Sequence, residues 1–372
     1  GTVNFSDNVN GNINFTADGL VKLADSKTIA GNIDSNNDRE GTITLVGGAT
    51  VTGSIGASEQ LLALNAGVAN TTSNFNSTVN VETINLASGT TNFAASVTGA
   101  ILLNSGDVNF ADSANVTGSI DNSSGSNNTG SLTFAGSSIV SGAIASTKTF
   151  ASINVLNSDD AVLAFGSNLN TQSLVLGANA GTIDFDAVTK VTDAATFTAD
   201  NQVLTFRGDT TFTNGISFDG KASTITLDSI YGNATFTGAI TTTTNETGIL
   251  TIKGANTFTV ASAVGGSGNA LSSVTVLGAS NAAFSDEVYA KNIDIGSGAV
   301  SFAKSVTGAI TLDAGTITIA SGANITGAID NSGNASTGAI ILSGSNTVSG
   351  SVDASISCSS ITAGAASTTS TF

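Results

Sequence analysis

The side chains able to do chemistry in this sequence are almost all carboxylates. The 372 residues include no His and one Cys, so neither a Ser–His nor a Cys–His nucleophile can be assembled. Asp159 and Asp160 are adjacent, and Asp184 and Asp186 are two apart. In an extended strand that second spacing puts both carboxylates on one side. A suitably spaced carboxylate pair is the machinery of glycoside hydrolysis. The reading adopted for all four is solvated acids near turns, and the chain is read as non-enzymatic. Asp34, Asp38 and Glu40 crowd one bend and are weak calcium candidates, matching neither the EF-hand spacing nor the Gly-Gly-x-Gly-x-Asp repeat. No metal site and no cofactor is otherwise assigned. Cys358 cannot make an internal disulfide and reads as a small, at least half-buried residue. Asn-x-Ser/Thr recurs at Asn14, Asn115, Asn233 and Asn324, as chance allows in a chain rich in Asn and Thr.

Composition narrows the class further. There is no Pro, Met or Trp, 43 residues are Gly, and 10% are charged. A mean hydropathy of +0.26 argues against disorder, which needs few aliphatics and much net charge. Val, Ile and Thr dominate, and they favour pleated surfaces. Ten Lys and Arg stand against 27 Asp and Glu, for a net charge of −17. That lacks the basic footprint of a nucleic-acid or anionic-membrane binder. No apolar run is long enough for a membrane-spanning helix. With Gly first and no Met anywhere, the chain reads as a processed or excised part of a longer product.

What must position these residues is a repeat. Residues 116–144, VTGSIDNSSGSNNTGSLTFAGSSIVSGAI, recur at 325–352 as ITGAIDNSGNASTGAIILSGSNTVSGSV. Looser copies lie at 29–55 and 236–261. Each opens [VIF]-[TA]-G-x-I, passes a polar bend, and continues with glycines six apart: Gly41, Gly47, Gly53; Gly130, Gly136, Gly142; Gly338, Gly344, Gly350. The looser copy at 236–261 keeps Gly248 and Gly254. Self-similarity of this kind marks a stacked array. After the first glycine, the second and fourth residues are always large and apolar. Alternation therefore predicts that Ile43, Leu45, Leu132, Phe134, Leu250, Ile252, Ile340 and Leu342 point inward. The glycine of V-[TS]-G-[SA] sits at a corner or at an inward place too narrow for a side chain.

The glycine spacings predict an all-β fold, a right-handed parallel β-helix (β-solenoid) with about 19–24 residues per coil. Asn and Thr at the bends would form outward polar ladders. Insertions fall in the polar spacers at 35–39, 123–128 and 241–245, where a solenoid tolerates them. A β-propeller or antiparallel sandwich is the competing architecture. Residues 1–372 read as one continuous solenoid of four modules, approximately 1–88, 89–180, a diverged 181–297 and an incomplete 298–372. Neither end carries a Pro or a charge cluster to block its open coil, so both ends are expected to meet more protein.

The elements G-T-[VT]-N-F, V-T-G-[SA]-I-D-N, G-T-I-D-F and G-S-L-T-F-x-G, with the Gly/Asn/Thr/Val/Ile texture, resemble the passenger regions of bacterial autotransporters. The resemblance runs in particular to the large rickettsial outer-membrane surface antigens. It implies a parallel β-helix displayed at the bacterial cell surface, exported, with membrane contact only through a C-terminal β-barrel outside this stretch. It also implies a role in adhesion, invasion or a protein coat, with host or neighbouring-cell surface molecules as partners. The alternative is a self-assembling structural subunit of a surface layer, sheath or extracellular fibre, with copies of itself as partners, end to end or side by side. No adhesive residue is carried over.

Overall fold

The computed structural model of the protein describes residues 1–156, 161–178, 181–331, 337–352, 358–364 and 368–372. The described residues contain strands and turns and no helix. The chain divides into two compact units, Gly1–Asp186 and Ala187–Phe372.

The first unit is a parallel β-solenoid. Its strands stack in register on their counterparts one coil away: Thr42–Leu45 lies on Leu20–Leu23, and Thr90–Phe93 lies between Thr72–Phe75 and Asp107–Phe110. The second unit is built the same way, with Thr224–Asp228 on Ile249–Lys253 and Ala299–Phe302 on Thr316–Ile319. Parallel, in-register stacking is incompatible with a propeller blade or an antiparallel sandwich. The coil is more elastic than the glycine spacings predict. The register steps 17 residues from Asn92 to Asn109 and 26 from Thr210 to Phe236. The connections between strands absorb the difference, while the strands keep their register on the neighbouring coil.

All eight residues predicted inward are buried. Inward side chains stack on like side chains. Phe75, Phe93, Phe110 and Phe134 form a column with ring centroids 5.2, 5.7 and 5.0 Å apart. In the second unit Phe197 stacks on Phe218 at 4.9 Å and Phe284 on Phe302 at 5.1 Å. Each buried Phe contributes about 1.5–3 kcal/mol by burial, and offset stacking adds about 0.5–1.5 kcal/mol per pair.

The six-residue glycine spacing has three separate physical causes. The first glycine of each series turns into the strand with positive φ, +83° at Gly41 and +71° at Gly130. The second leaves room for a side chain of the preceding coil: a Cβ on Gly47 would lie 2.2 Å from Asp25 Oδ1, and one on Gly136 2.3 Å from Asp112 Oδ1. The third forms a column. A Cβ on Gly142 would lie 2.2 Å from the Gly118 carbonyl oxygen, and one on Gly118 2.2 Å from that of Gly99. Gly53 over Gly31 and Gly350 over Gly327 repeat the contact at 2.3 and 2.1 Å. These glycines are half-buried at a corner, so the narrow place is between coils and not inside them.

Candidate functional site

In the copies at 29–55, 116–144 and 236–261 the repeat builds a polar bend whose hydrogen bonds run to the next coil. Outward polar ladders run along the strands on either side of it.

Asn122 occupies an inward column directly above Leu103 and is buried. Its amide donates to the Thr149 carbonyl at 2.7 Å and to that of Ser126 at 3.2 Å, while its oxygen accepts the Ser124 N–H at 2.9 Å. Asn331 stands above Leu312 in the same way and donates to the Thr337 carbonyl at 2.8 Å. Ser35 and Thr242 hold the equivalent positions in the looser copies, both buried. Thr242 shares a hydroxyl–hydroxyl bond with Thr247 at 2.6 Å. The Ile-Asp-Asn motif thus trades one apolar rung for a side chain that satisfies the carbonyls of the bend, as a buried backbone requires.

Outside, asparagines stack. Asn92 donates to Asn74 and Asn109 donates to Asn92, each at 2.8 Å. On another face Asn85 donates to Asn65 at 2.9 Å and Asn65 to Thr44 at 3.1 Å. These outward polar ladders are half-buried and stand on strands, whereas the sequence placed them at the bends; strand register is what brings the amides together coil on coil. The Asn-x-Ser/Thr asparagines are structural. Asn115, Asn233 and Asn324 accept the backbone N–H of Ile139, Thr257 and Thr347 in the next coil at 2.8, 3.0 and 2.8 Å. Asn14 donates to Asn36 at 2.7 Å.

The carboxylate candidates are dispersed. Asp34 accepts from the N–H groups of Ser35, Ser58 and Glu59 at 3.0–3.3 Å. Partial burial pushes its carboxyl up, but the bonds from Ser58, Glu59 and Ser35 together outweigh that and hold it below the ordinary carboxylate value. Asp38 faces Arg39 at 3.9 Å, and Glu40 accepts from Asn37 at 3.0 Å. Among the described residues no three His, Cys, Asp or Glu side chains come together as metal ligands, so the bend does not gather Asp34, Asp38 and Glu40 around one point. Asp184 and Asp186 lie on the outward side near the end of the strand Gly181–Phe185, both half-buried. Asp159 and Asp160 lie outside the described residues. Cys358 opens the strand Cys358–Ala363 and is half-buried.

One charged cluster has no signature in the sequence. Asp228 is buried, with Arg207 Nε at 3.6 Å and Lys253 Nζ at 3.4 Å. Lys253 pairs with Asp228 in the next coil, so the triad spans neighbouring coils and compensates a carboxylate that burial would otherwise penalise. Two residues beyond Asp228, Ile230 and Tyr231 project at 57% and 69% exposure. Among the described residues, whose aromatics are otherwise mostly interior, they are the most exposed apolar neighbours.

No protein-family model matches the chain, and no solved structure matches it. The chain is similar to Outer membrane protein A of Rickettsia rickettsii, 30% identical over 348 residues, which cover 86% of this chain and 15% of that protein. The chain therefore spans less than a sixth of the length of this relative. The resemblance to rickettsial surface antigens carried by the repeat motifs is borne out by this similarity and by the solenoid fold.

Proposed function

We propose that this chain is a non-enzymatic β-helical passenger or stalk segment of an autotransporter-like surface protein, acting in adhesion or as part of a surface coat. The observation that carries the reading is the similarity along 348 residues to a protein named for the outer membrane, in a chain folded as stacked coils. A solenoid grows by adding coils without a new core, which suits reach and display. Its binding face is the outward ladder and the loops between coils. On this reading the chain is exported and displayed at the bacterial surface. Its partners are molecules of a host or neighbouring cell, or further copies of itself, and the acidic balance disfavours nucleic acid.

Antibody labelling and protease shaving of intact cells that make the full-length protein test the reading. Labelling and release without permeabilisation are expected. Labelling only after permeabilisation would contradict it. Electron microscopy of the released material then separates the two roles: isolated particles fit a passenger or stalk, and ordered lattices or filaments fit a self-assembling coat.

A further inference from the structure

The tip of the polar bend is a left-handed residue in three copies: Arg39 at φ 60°, Asn128 at φ 60° and Glu246 at φ 61°. Each donates its N–H to the coil above, to the carbonyls of Gln60, Thr149 and Ala270 at 2.6, 2.8 and 2.8 Å. In the first and third copies the side chain reaches one coil further, whereas Asn128 Oδ1 accepts from Thr149 Oγ1 in the adjacent coil. Arg39 Nη1 lies 3.5 Å from Glu82 Oε1, and Glu246 Oε2 lies 2.6 Å from Lys291 Nζ.

Glu82 and Lys291 are the same position in two repeats. Glu82 sits between Val81 and Thr83, which pair with Leu61 and Ala63. Lys291 sits between Ala290 and Asn292, which pair with Leu271 and Ser273. Both lie where the register to the following strand shifts. The second repeat places Gln172 there, between Thr171 and Ser173 over Phe150 and Ser152. The same clasp is thus written plus-to-minus in the first repeat and minus-to-plus in the third. In the second repeat both of its positions carry neutral amides.

An exposed ion pair contributes little to stability, and a clasp kept for stability would have no reason to reverse its sign. Partner choice does have a reason. The inward columns of the two repeats are alike, Ile43 and Leu45 in the first matching Leu250 and Ile252 in the third, all buried, so a coil of one repeat laid on a coil of the other would satisfy the core. Loop length penalises such mis-stacking only slowly, and discrimination then needs a repulsive element. Arg39 brought against Lys291, or Glu246 against Glu82, supplies it. Asp38 at 3.9 Å from Arg39 leaves that discrimination in place, because it faces Arg39 in either arrangement. We infer that the Arg39–Glu82 and Glu246–Lys291 clasps are a charge code that sorts which repeat's coils stack together during folding.

The test uses the full chain with Cys358→Ser and pairs of outward cysteines. Thr44→Cys with Asn65→Cys reports native stacking, since these residues are paired. Thr44→Cys with Thr275→Cys reports a first-repeat coil laid under a third-repeat coil, because Thr275 natively pairs with Thr251. Refolding under mild oxidation should give almost no Thr44–Thr275 cross-link. Glu82→Lys with Lys291→Glu, which makes the native clasps repulsive and the wrong ones attractive, should raise it about two- to fivefold. Adding Arg39→Glu and Glu246→Arg should return it to the starting level. An unchanged cross-link in the double variant overturns the inference. So does a rise that the quadruple variant fails to reverse, and so does loss of the native cross-link with no gain of the wrong one.

Discussion

The side-chain amide of Asn122 donates to the backbone carbonyl of Thr149 across one coil, at 2.7 Å. Asn122 stands on Leu103 in an otherwise apolar column, so a polar side chain occupies a core position to hold the bend between them. Replacing it with Ala removes the acceptor of the Ser124 N–H and one of two donors to the Ser126 carbonyl, the other being the Ser124 hydroxyl. Asn122→Ala is expected to cost about 1–3 kcal/mol. The loss should show as faster amide exchange at Ser124 and Asn128, with coils several rungs away unchanged.

The glycine column predicts a sharp contrast between two glycines of one repeat. Gly142→Ala forces a Cβ against the Gly118 carbonyl at 2.2 Å, with backbone as the obstacle, whereas Gly125 has nothing within 4 Å. Gly142→Ala should destabilise the first unit by at least about 1–3 kcal/mol. Gly125→Ala should be neutral within about 0.5 kcal/mol. Thermal unfolding of the two variants side by side checks both.

The aromatic column predicts local damage. Phe110 is fully buried and stacks on Phe93 and Phe134. Phe110→Ala is expected to cost about 3–5 kcal/mol by lost burial and a cavity. In an array of neighbour-coupled coils the loss concentrates nearby. Hydrogen exchange should show lost protection in the strands Thr90–Phe93 and Ser131–Phe134, with Leu20–Leu23 still protected.

Asp34 sets a pH dependence. Its folded carboxyl lies below the ordinary 3.8, the bonds from Ser58, Glu59 and Ser35 outweighing the upward push of burial. A carboxyl depressed on folding adds stability that is fully present above the unfolded value and is lost as pH falls through the folded one. The stability gap between the native chain and Asp34→Ala should therefore be constant from pH 7 to about 5. It should close below the ordinary value. Denaturant titrations across that range measure it, and a gap that widens in acid would contradict the assignment.

Legibility from sequence followed the range of the interaction. The inward placement of Ile43, Leu132 and Phe134 rests on period-two alternation within a few residues, and it was readable. Outward polar ladders were readable as a class but were placed at the bends; Asn74, Asn92 and Asn109 stand instead at matching outward places on successive strands. The burial of Asn122 was not, since its decisive partner Thr149 lies 27 residues on and nothing local marks an Asn as a core rung. The same holds for Asp25 over Gly47 and Asp112 over Gly136, which explain the middle glycine only once the coils are stacked. The Asp34, Asp38 and Glu40 bend read as a cluster because the residues are close in sequence. The bend turns them to different partners: backbone N–H groups, Arg39 and Asn37.

Residues about one coil apart lie side by side in register throughout both units, and paired cysteines read that directly. In the Cys358→Ser chain, Asn92→Cys with Asn109→Cys joins positions that are paired one coil apart. Parallel neighbours at about 4.8 Å lie within the span a disulfide bridges. Asn74→Cys with Asn109→Cys joins positions two coils apart, since Asn92 lies between them, and about 9.6 Å is beyond that span. Stacked coils should give rapid, near-complete oxidation of the first pair and none of the second within the folded monomer. Equal oxidation of both pairs, or oxidation of the second alone, would contradict the stacked-coil architecture.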